Sequence, residues 1–141
     1  MPAIPEPPER IAGELVDLRM IAEWDIPEVL IAHQDDPDLH RSLGMARPPT
    51  GAQLGLEVEQ AQARRLAGAQ LSLSILEPGC RDCRGRVDID RIDWERASAR
   101  VRVWVAPQLR GRGYEQQAAE LAAEWLRAGC GLRELDVRLL T

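Results

Sequence analysis

The run Pro107-Gln-Leu-Arg-Gly-Arg-Gly113 constrains this chain more than any other segment, because the apolar period changes across it. Before it, Ala99 to Val105 alternates with the period of two that a strand requires. After it, Tyr114, Ala118, Leu121, Ala122, Trp125 and Leu126 fall at i, i+4, i+7, i+8, i+11 and i+12, a single helical stripe. A strand, a turn with two glycines and a helix therefore follow one another, and Gly129 and Gly131 end that helix.

The same reading extends along the chain. Glu14 to Met20 and Gln70 to Leu76 alternate as half-buried strands. Asp25 with Glu28 forms a capping-box pattern, predicting a helix to about His33 that buries Ile26, Val29, Leu30 and His33. The Asp35-Asp36-Pro37-Asp38 run breaks it, and residues 44–50 are a loop. Thr50 with Gln53 repeats the cap pattern, and Leu54, Val58, Ala61 and Arg65 carry a second helix to about Leu66. After a turn-rich stretch from Pro78 to Gly85, Arg86 to Asp93 and Ala99 to Val105 read as a hairpin joined near Trp94–Ala97. Glu134 to Leu140 is a last strand. The order β-α-α-β-β-β-α-β predicts one α/β (α+β) domain over 13–141, preceded by a flexible arm, 1–12, rich in Pro and Glu.

Composition narrows the function. With 141 residues, 45% of them hydrophobic, the chain can bury a core without staples. A net charge of −5, with no basic stripe, argues against nucleic acid and against an anionic membrane surface. No run approaches the roughly 20 apolar residues of a membrane span, and the start does not resemble a signal peptide. The expected setting is cytoplasmic, with the three cysteines reduced. All 18 basic residues are Arg, a bias that carries little chemical information.

A strand, a glycine-bearing turn and a helix start can cradle an anion, because successive N–H groups converge and the helix end is partially positive. Arg110 and Arg112 add charge there, although a plain strand-to-helix turn with solvated arginines has the same pattern. Cys80 and Cys83 form a lone C-x-x-C; structural zinc needs four ligands, so two reduced surface thiols are expected and no metal. His33 and His40 lack triad partners at a suggestive spacing. Trp24, Trp94, Trp104 and Trp125 are expected in core and hairpin packing. Arg64 and Arg65 are expected on the solvated side of the second helix.

Trp104-Val-Ala-Pro-Gln-Leu-Arg-Gly-Arg-Gly-Tyr114 resembles the acetyl-CoA-binding segment of GCN5-related N-acetyltransferases (GNAT), particularly their RimJ/RimL branch. Leu18-Arg19 with Asp25, Asp36-Pro37 followed by Leu43-Gly44, and Arg91 to Ser98 are also similar to that branch. The resemblance implies a mixed, mostly antiparallel sheet with helices on both faces. It implies that the backbone of Val103 and Val105 bonds the pantetheine arm of acetyl-CoA where two strands splay apart. The amides of Arg110, Gly111, Arg112, Gly113 and Tyr114 would hold its pyrophosphate. The implied reaction is acetyl transfer to a primary amine, of a protein N-terminus or a small molecule.

Departures from the family pattern point the other way. Glu115 stands where a small residue is usual, and its charge would weaken acetyl-CoA binding. Arg100 stands where many relatives carry a Glu base, and a guanidinium cannot accept a proton at neutral pH, so no catalytic residue is assigned. Arg100 and Arg102 are expected to face Asp88 and Asp90 in a cross-strand ladder. The family's closing helix and two strands have no counterpart before Thr141. This leaves 134–140 as an open edge, expected to pair in a homodimer or with a partner chain. The alternative to an enzyme is a non-catalytic module of the same fold, serving as scaffold, partner subunit or acyl-CoA sensor.

Overall fold

The computed structural model describes residues 2–140; Met1 and Thr141, the outer ends of the expected arm and domain, lie outside them. Its strands are β1 (Ile11–Ala12), β2 (Asp17–Met20), β3 (Leu71–Leu76), β4 (Gly85–Asp93), β5 (Ser98–Val105) and β6 (Glu134–Leu139). They form one sheet in sequence order, antiparallel throughout except for the parallel pair β5–β6. A parallel pair needs a crossover, and the helix α4 (Tyr114–Cys130) supplies it. The helices α1 (Ile26–Asp35), α2 (Leu39–Ser42) and α3 (Gly51–Leu66) lie between β2 and β3 in sequence.

Strand alternation divides the sheet into two unlike faces. Leu18, Leu73, Ile75, Val87, Ile89, Val101, Val103 and Val105 pack with Ala118, Ala122 and Leu126 of α4 in the main core. The other face carries Arg19, Ser72, Ser74, Arg86, Asp88, Asp90, Arg100 and Arg102, with Trp104 as its large apolar member. Val29 and Ala32 of α1, Leu39 of α2 and Leu54 of α3 meet Trp104 there in a smaller second cluster. Helices therefore cover both faces, as the mixed-sheet reading expects.

Local signals differ in how well they survive folding. The Thr50 cap forms as read: Gln53 N–H donates to Thr50 Oγ1 at 3.1 Å, and Thr50 N–H donates to Gln53 Oε1 at 2.8 Å. The Asp25–Glu28 box does not form, because Asp25 makes no side-chain cap to α1. Its carboxylate instead takes a two-pronged bond from Arg19 (2.7 and 2.9 Å), with Ser74 Oγ at 2.6 Å and Ala22 N–H at 2.9 Å. Gly129 lies within α4; Gly131, with φ 71°, ends it. The short α2 falls where no periodicity predicts a helix.

Several side chains sit elsewhere than expected. The segment ahead of β1 is anchored: Ile4 is fully buried, its N–H donates to Arg65 O at 2.9 Å, and Arg65 Nη1 donates to Ile4 O at 2.6 Å. Arg65 is thus buried rather than on a solvated helix face. Trp24 is half exposed, with the Arg19 and Arg81 guanidinium groups 5.4 and 5.0 Å from its ring centre, so cation–π contact replaces core packing. Cys80 is exposed, but Cys83, two residues before the start of β4, is buried, with Sγ bonded to Gly85 O. The described residues contain no cluster of metal-ligating side chains, and no helix among them is long and apolar enough to cross a membrane.

Candidate functional site

The sheet face under α1 and α3 is the unusual feature of this molecule. Covering a polar strand face with helices removes its charges from water, which is unfavourable unless each is paired or left open to something. Most are paired. Asp90 takes a two-pronged bond from Arg100, at 2.7 and 2.8 Å, and a third from Arg102 Nη2 at 3.0 Å. Arg86 Nη1 reaches Glu57 of α3 at 2.6 Å. Asp88 faces Arg102 in the register, yet its hydrogen bond comes from Ser72 Oγ at 2.8 Å. The expected ladder therefore exists, centred on Asp90, and Arg100 is held within it.

A cavity of about 240 Å³ opens over this floor, lined by His33, Glu57, Arg86, Asp88, Arg102 and Trp104 among others. Its polar complement is incomplete: His33 Nδ1, Arg86 Nε and Arg102 Nε are buried without a hydrogen-bond partner. Burial pushes the Asp88 carboxyl above its ordinary range, outweighing the nearby positive charge of Arg86. Burial pushes His33 below its ordinary value, with the charges of His40 and Arg86 acting the same way. An imidazole held neutral and a carboxyl more readily protonated than usual thus line one cavity. His33 also lies edge-on to Trp104, with ring centres 5.9 Å apart. Sequence reading placed His33 as a buried end of α1 and Asp88 in the ladder; the available signal was the run of polar residues at every second position of β3, β4 and β5.

The glycine loop forms the second half of the site. Pro107–Leu109 make a 3-10 turn after β5, and Gly111 (φ 77°) and Gly113 (φ 82°) both adopt the left-handed conformation that other residues resist. At Gly111 an added Cβ would meet nothing within 4 Å, so conformation rather than crowding requires glycine there. Gly113 occupies the N-cap of α4 and offers no side chain. The first-turn amides of Tyr114, Glu115 and Gln116 consequently lack a side-chain cap, and a helix supplies them no acceptor of its own.

Other sequence-identified residues differ in their availability. Arg110 Nη2 is bonded to Asp36 at 2.6 Å, and this bond holds the Asp36 carboxyl below its usual range. Gln108 Nε2 bonds Asp35 at 2.8 Å. The end of α1 is therefore clipped to the loop, three residues from His33, which couples the loop to the cavity. Arg112 is exposed. Glu115 is only 7% exposed, and its Oε1 lacks a hydrogen-bond partner. A carboxylate in the first turn is favoured by the helix dipole, and it occupies the end of α4 where an external anion would be attracted.

Val103 and Val105 are both buried in β5. The strands stay together at Val103, which pairs with Leu139, and the Val103 carbonyl accepts from Leu140 N–H at 2.8 Å. The expected splay therefore does not open at Val103, because its β6-facing carbonyl is already engaged. Val105 lies two residues on, faces the same side, and has no β6 partner in the register.

No family model and no curated protein matches this sequence. Solved structures do. A Vibrio cholerae protein provisionally designated a ribosomal-protein-serine acetyltransferase aligns with a TM-score of 0.78 at 14% identity, over 94% of this chain and 75% of that one. An acetyltransferase from Salmonella typhimurium that modifies the N-terminal serine of a 50S ribosomal subunit protein aligns at 0.72 and 17% identity, over 92% and 72%. Spermidine N-acetyltransferase from Vibrio cholerae, solved with CoA and spermine, aligns at 0.69 and 14%, over 87% and 70%. Identities this low leave the alignment of the backbone, rather than of side chains, as the common ground. The chain has the fold of the GCN5-related N-acetyltransferases.

Proposed function

We propose that this protein binds acetyl-CoA at the Arg110–Tyr114 turn and transfers its acetyl group to a primary amine held over the polar cavity. The observation that carries the reading is the uncapped first turn of α4 behind two left-handed glycines, joined through Arg110–Asp36 to a cavity with unpaired polar groups. The amides of Gly111 through Tyr114 would hold the pyrophosphate, with Arg112 adding charge, and the unpaired edge at Val105 would take the pantetheine arm. Bound acetyl-CoA supplies an acyl group already activated as a thioester. His33, neutral at physiological pH, and Asp88 are the groups able to take the proton an amine must lose. The likeness to amine acetyltransferases, including one solved with CoA, supports this reading. A protein N-terminus, as in the RimJ/RimL branch, and a small polyamine are the acceptor classes to screen, and a cytoplasmic setting belongs to the same reading.

A second reading, a non-catalytic module of this fold, is favoured by Glu115 and by Arg100. The one places a buried carboxylate at the anion end of α4, and the other is locked to Asp90. Calorimetric titration with acetyl-CoA and CoA separates the two. The enzyme reading expects micromolar binding and acetylation of an amine. Absence of binding at millimolar concentration, in the parent and in Glu115→Ala, would leave the module. Removing the Glu115 charge is expected to tighten acetyl-CoA by about tenfold, since like charges near a low-dielectric surface repel strongly.

A further inference from the structure

The cavity over the sheet leaves hydrogen-bond donors unused in a place where proteins rarely do so. Arg86 is only 6% exposed, and a guanidinium carries several N–H donors, yet among the described residues its side chain gives a single bond, from Nη1 to Glu57. Arg102 directs Nη1 to Leu43 O and Nη2 to Asp90, while its Nε, like that of Arg86, is buried without a partner. Unmatched buried donors are destabilising, and a guanidinium is shaped to match a carboxylate. The carboxylates at hand are committed elsewhere: Asp90 is shared between Arg100 and Arg102, and burial makes Asp88 easier to protonate than usual. Leu43, Met45, Leu54 and Trp104 form an apolar wall beside these groups. At about 240 Å³ the cavity lies below the roughly 300–1,000 Å³ of pockets that take drug-sized ligands, so it suits a small occupant.

We propose that the acceptor held in this cavity is a free α-amino acid with an apolar side chain, its carboxylate on Arg86 and Arg102 and its side chain against Leu43, Met45 and Leu54. The proposal rests on the reading of this cavity as the acceptor site. A peptide N-terminus has no carboxylate beside its amine, and a polyamine has none at all, so neither matches these donors. Met45, unbranched and flexible, can adjust to side chains of different length. The α-amine, turned away from the arginines toward His33, faces the end of α1 that Arg110 and Asp36 clip to the glycine loop. Its ammonium form releases a proton to solvent by way of His33 or Asp88. The freed lone pair forms the C–N bond at the thioester carbonyl as the C–S bond breaks, and a second nitrogen proton passes to the departing sulfur. The products are the N-acetyl amino acid, CoA as its thiol and the released proton.

Calorimetric titration with L-leucine, L-methionine and L-leucinamide, without acetyl-CoA, tests the site directly. Both amino acids are expected to bind, and the amide, which lacks only the carboxylate charge, about tenfold more weakly than leucine. Arg86→Gln should weaken leucine about tenfold and leave leucinamide unchanged. Arg102→Gln, which keeps Arg86, should give the same contrast and serves if the first variant does not fold. With acetyl-CoA added, release of the CoA thiol at subsaturating acceptor should favour leucine over its amide by a similar factor. Equal affinity for leucine and leucinamide, or binding of neither, would overturn the proposal; acetyl-CoA binding with acetylation of a peptide or polyamine would then leave the acetyltransferase reading standing. Selective leucine binding by a protein that does not bind acetyl-CoA would overturn that reading, and the acceptor role with it.

Discussion

Asp25, buried in the turn before α1, and Asp88, partly buried on β4, show how two carboxyls against one sheet face acquire opposite roles. Burial pushes Asp25 up, but the hydrogen bonds from Arg19, Ser74 and Ala22 N–H outweigh it and hold the carboxyl below its ordinary value. Its stabilisation is therefore present above the unfolded value and is lost as pH falls through the folded one. Asp25→Ala leaves Arg19 partly buried without its partner and is expected to cost about 3 kcal/mol in urea denaturation at pH 7. Asp88 has the reverse sign, since its folded value lies above the unfolded one. Its contribution is complete below the unfolded value and is lost as pH rises through the folded value. Asp88→Asn keeps the shape and an acceptor for Ser72 but cannot ionise. Its stability relative to the parent should rise between pH 4 and pH 7, and a flat difference across that window would refute the assignment. Both residues could be placed on their strand or turn from sequence, but which partners they meet depends on β2, β3 and β4 coming into register.

At the scale of elements, caps and turns divide by whether a competing partner exists. Thr50 and Gln53 close their box within four residues and stay exposed, so no distant group competes; Thr50→Ala should cost about 1 kcal/mol of stability, measured by thermal unfolding. Asp25 had the same local pattern and lost it to the Arg19 guanidinium and the Ser74 hydroxyl, which offer a charged, buried alternative. The glycine loop was legible because a change of period and two glycines are local facts. Gly113→Ala forces a left-handed residue at the N-cap of α4, with an expected cost of about 1–2 kcal/mol. If the loop also holds the pyrophosphate, acetyl-CoA affinity should fall in the same variant, which calorimetry would register. The α2 turn was not legible, since four residues cannot display a period.

For the whole molecule, the N-terminal segment behaves as part of the domain. Ile4 fills the main core and Arg65 bonds its carbonyl, so Ile4→Ala should destabilise by about 3 kcal/mol; a change near zero would mean the segment is dispensable. Proline and glutamate content suggested an arm because composition reports average polarity and is blind to one apolar anchor. Sequence alone determined the order of the elements other than β1 and α2, the strand and helix periods, the Thr50 cap and the loop before α4, all of which follow from neighbours in the chain. The tertiary structure decided which charges pair, that Cys83 and Arg65 are buried, and that Trp24 is not. It also closed β5 onto β6 at Val103 and enclosed His33 with Asp88 in one cavity. Those outcomes depend on which of several partners of similar chemistry lies closest once the sheet has formed, and that competition among distant groups leaves no periodicity in the sequence.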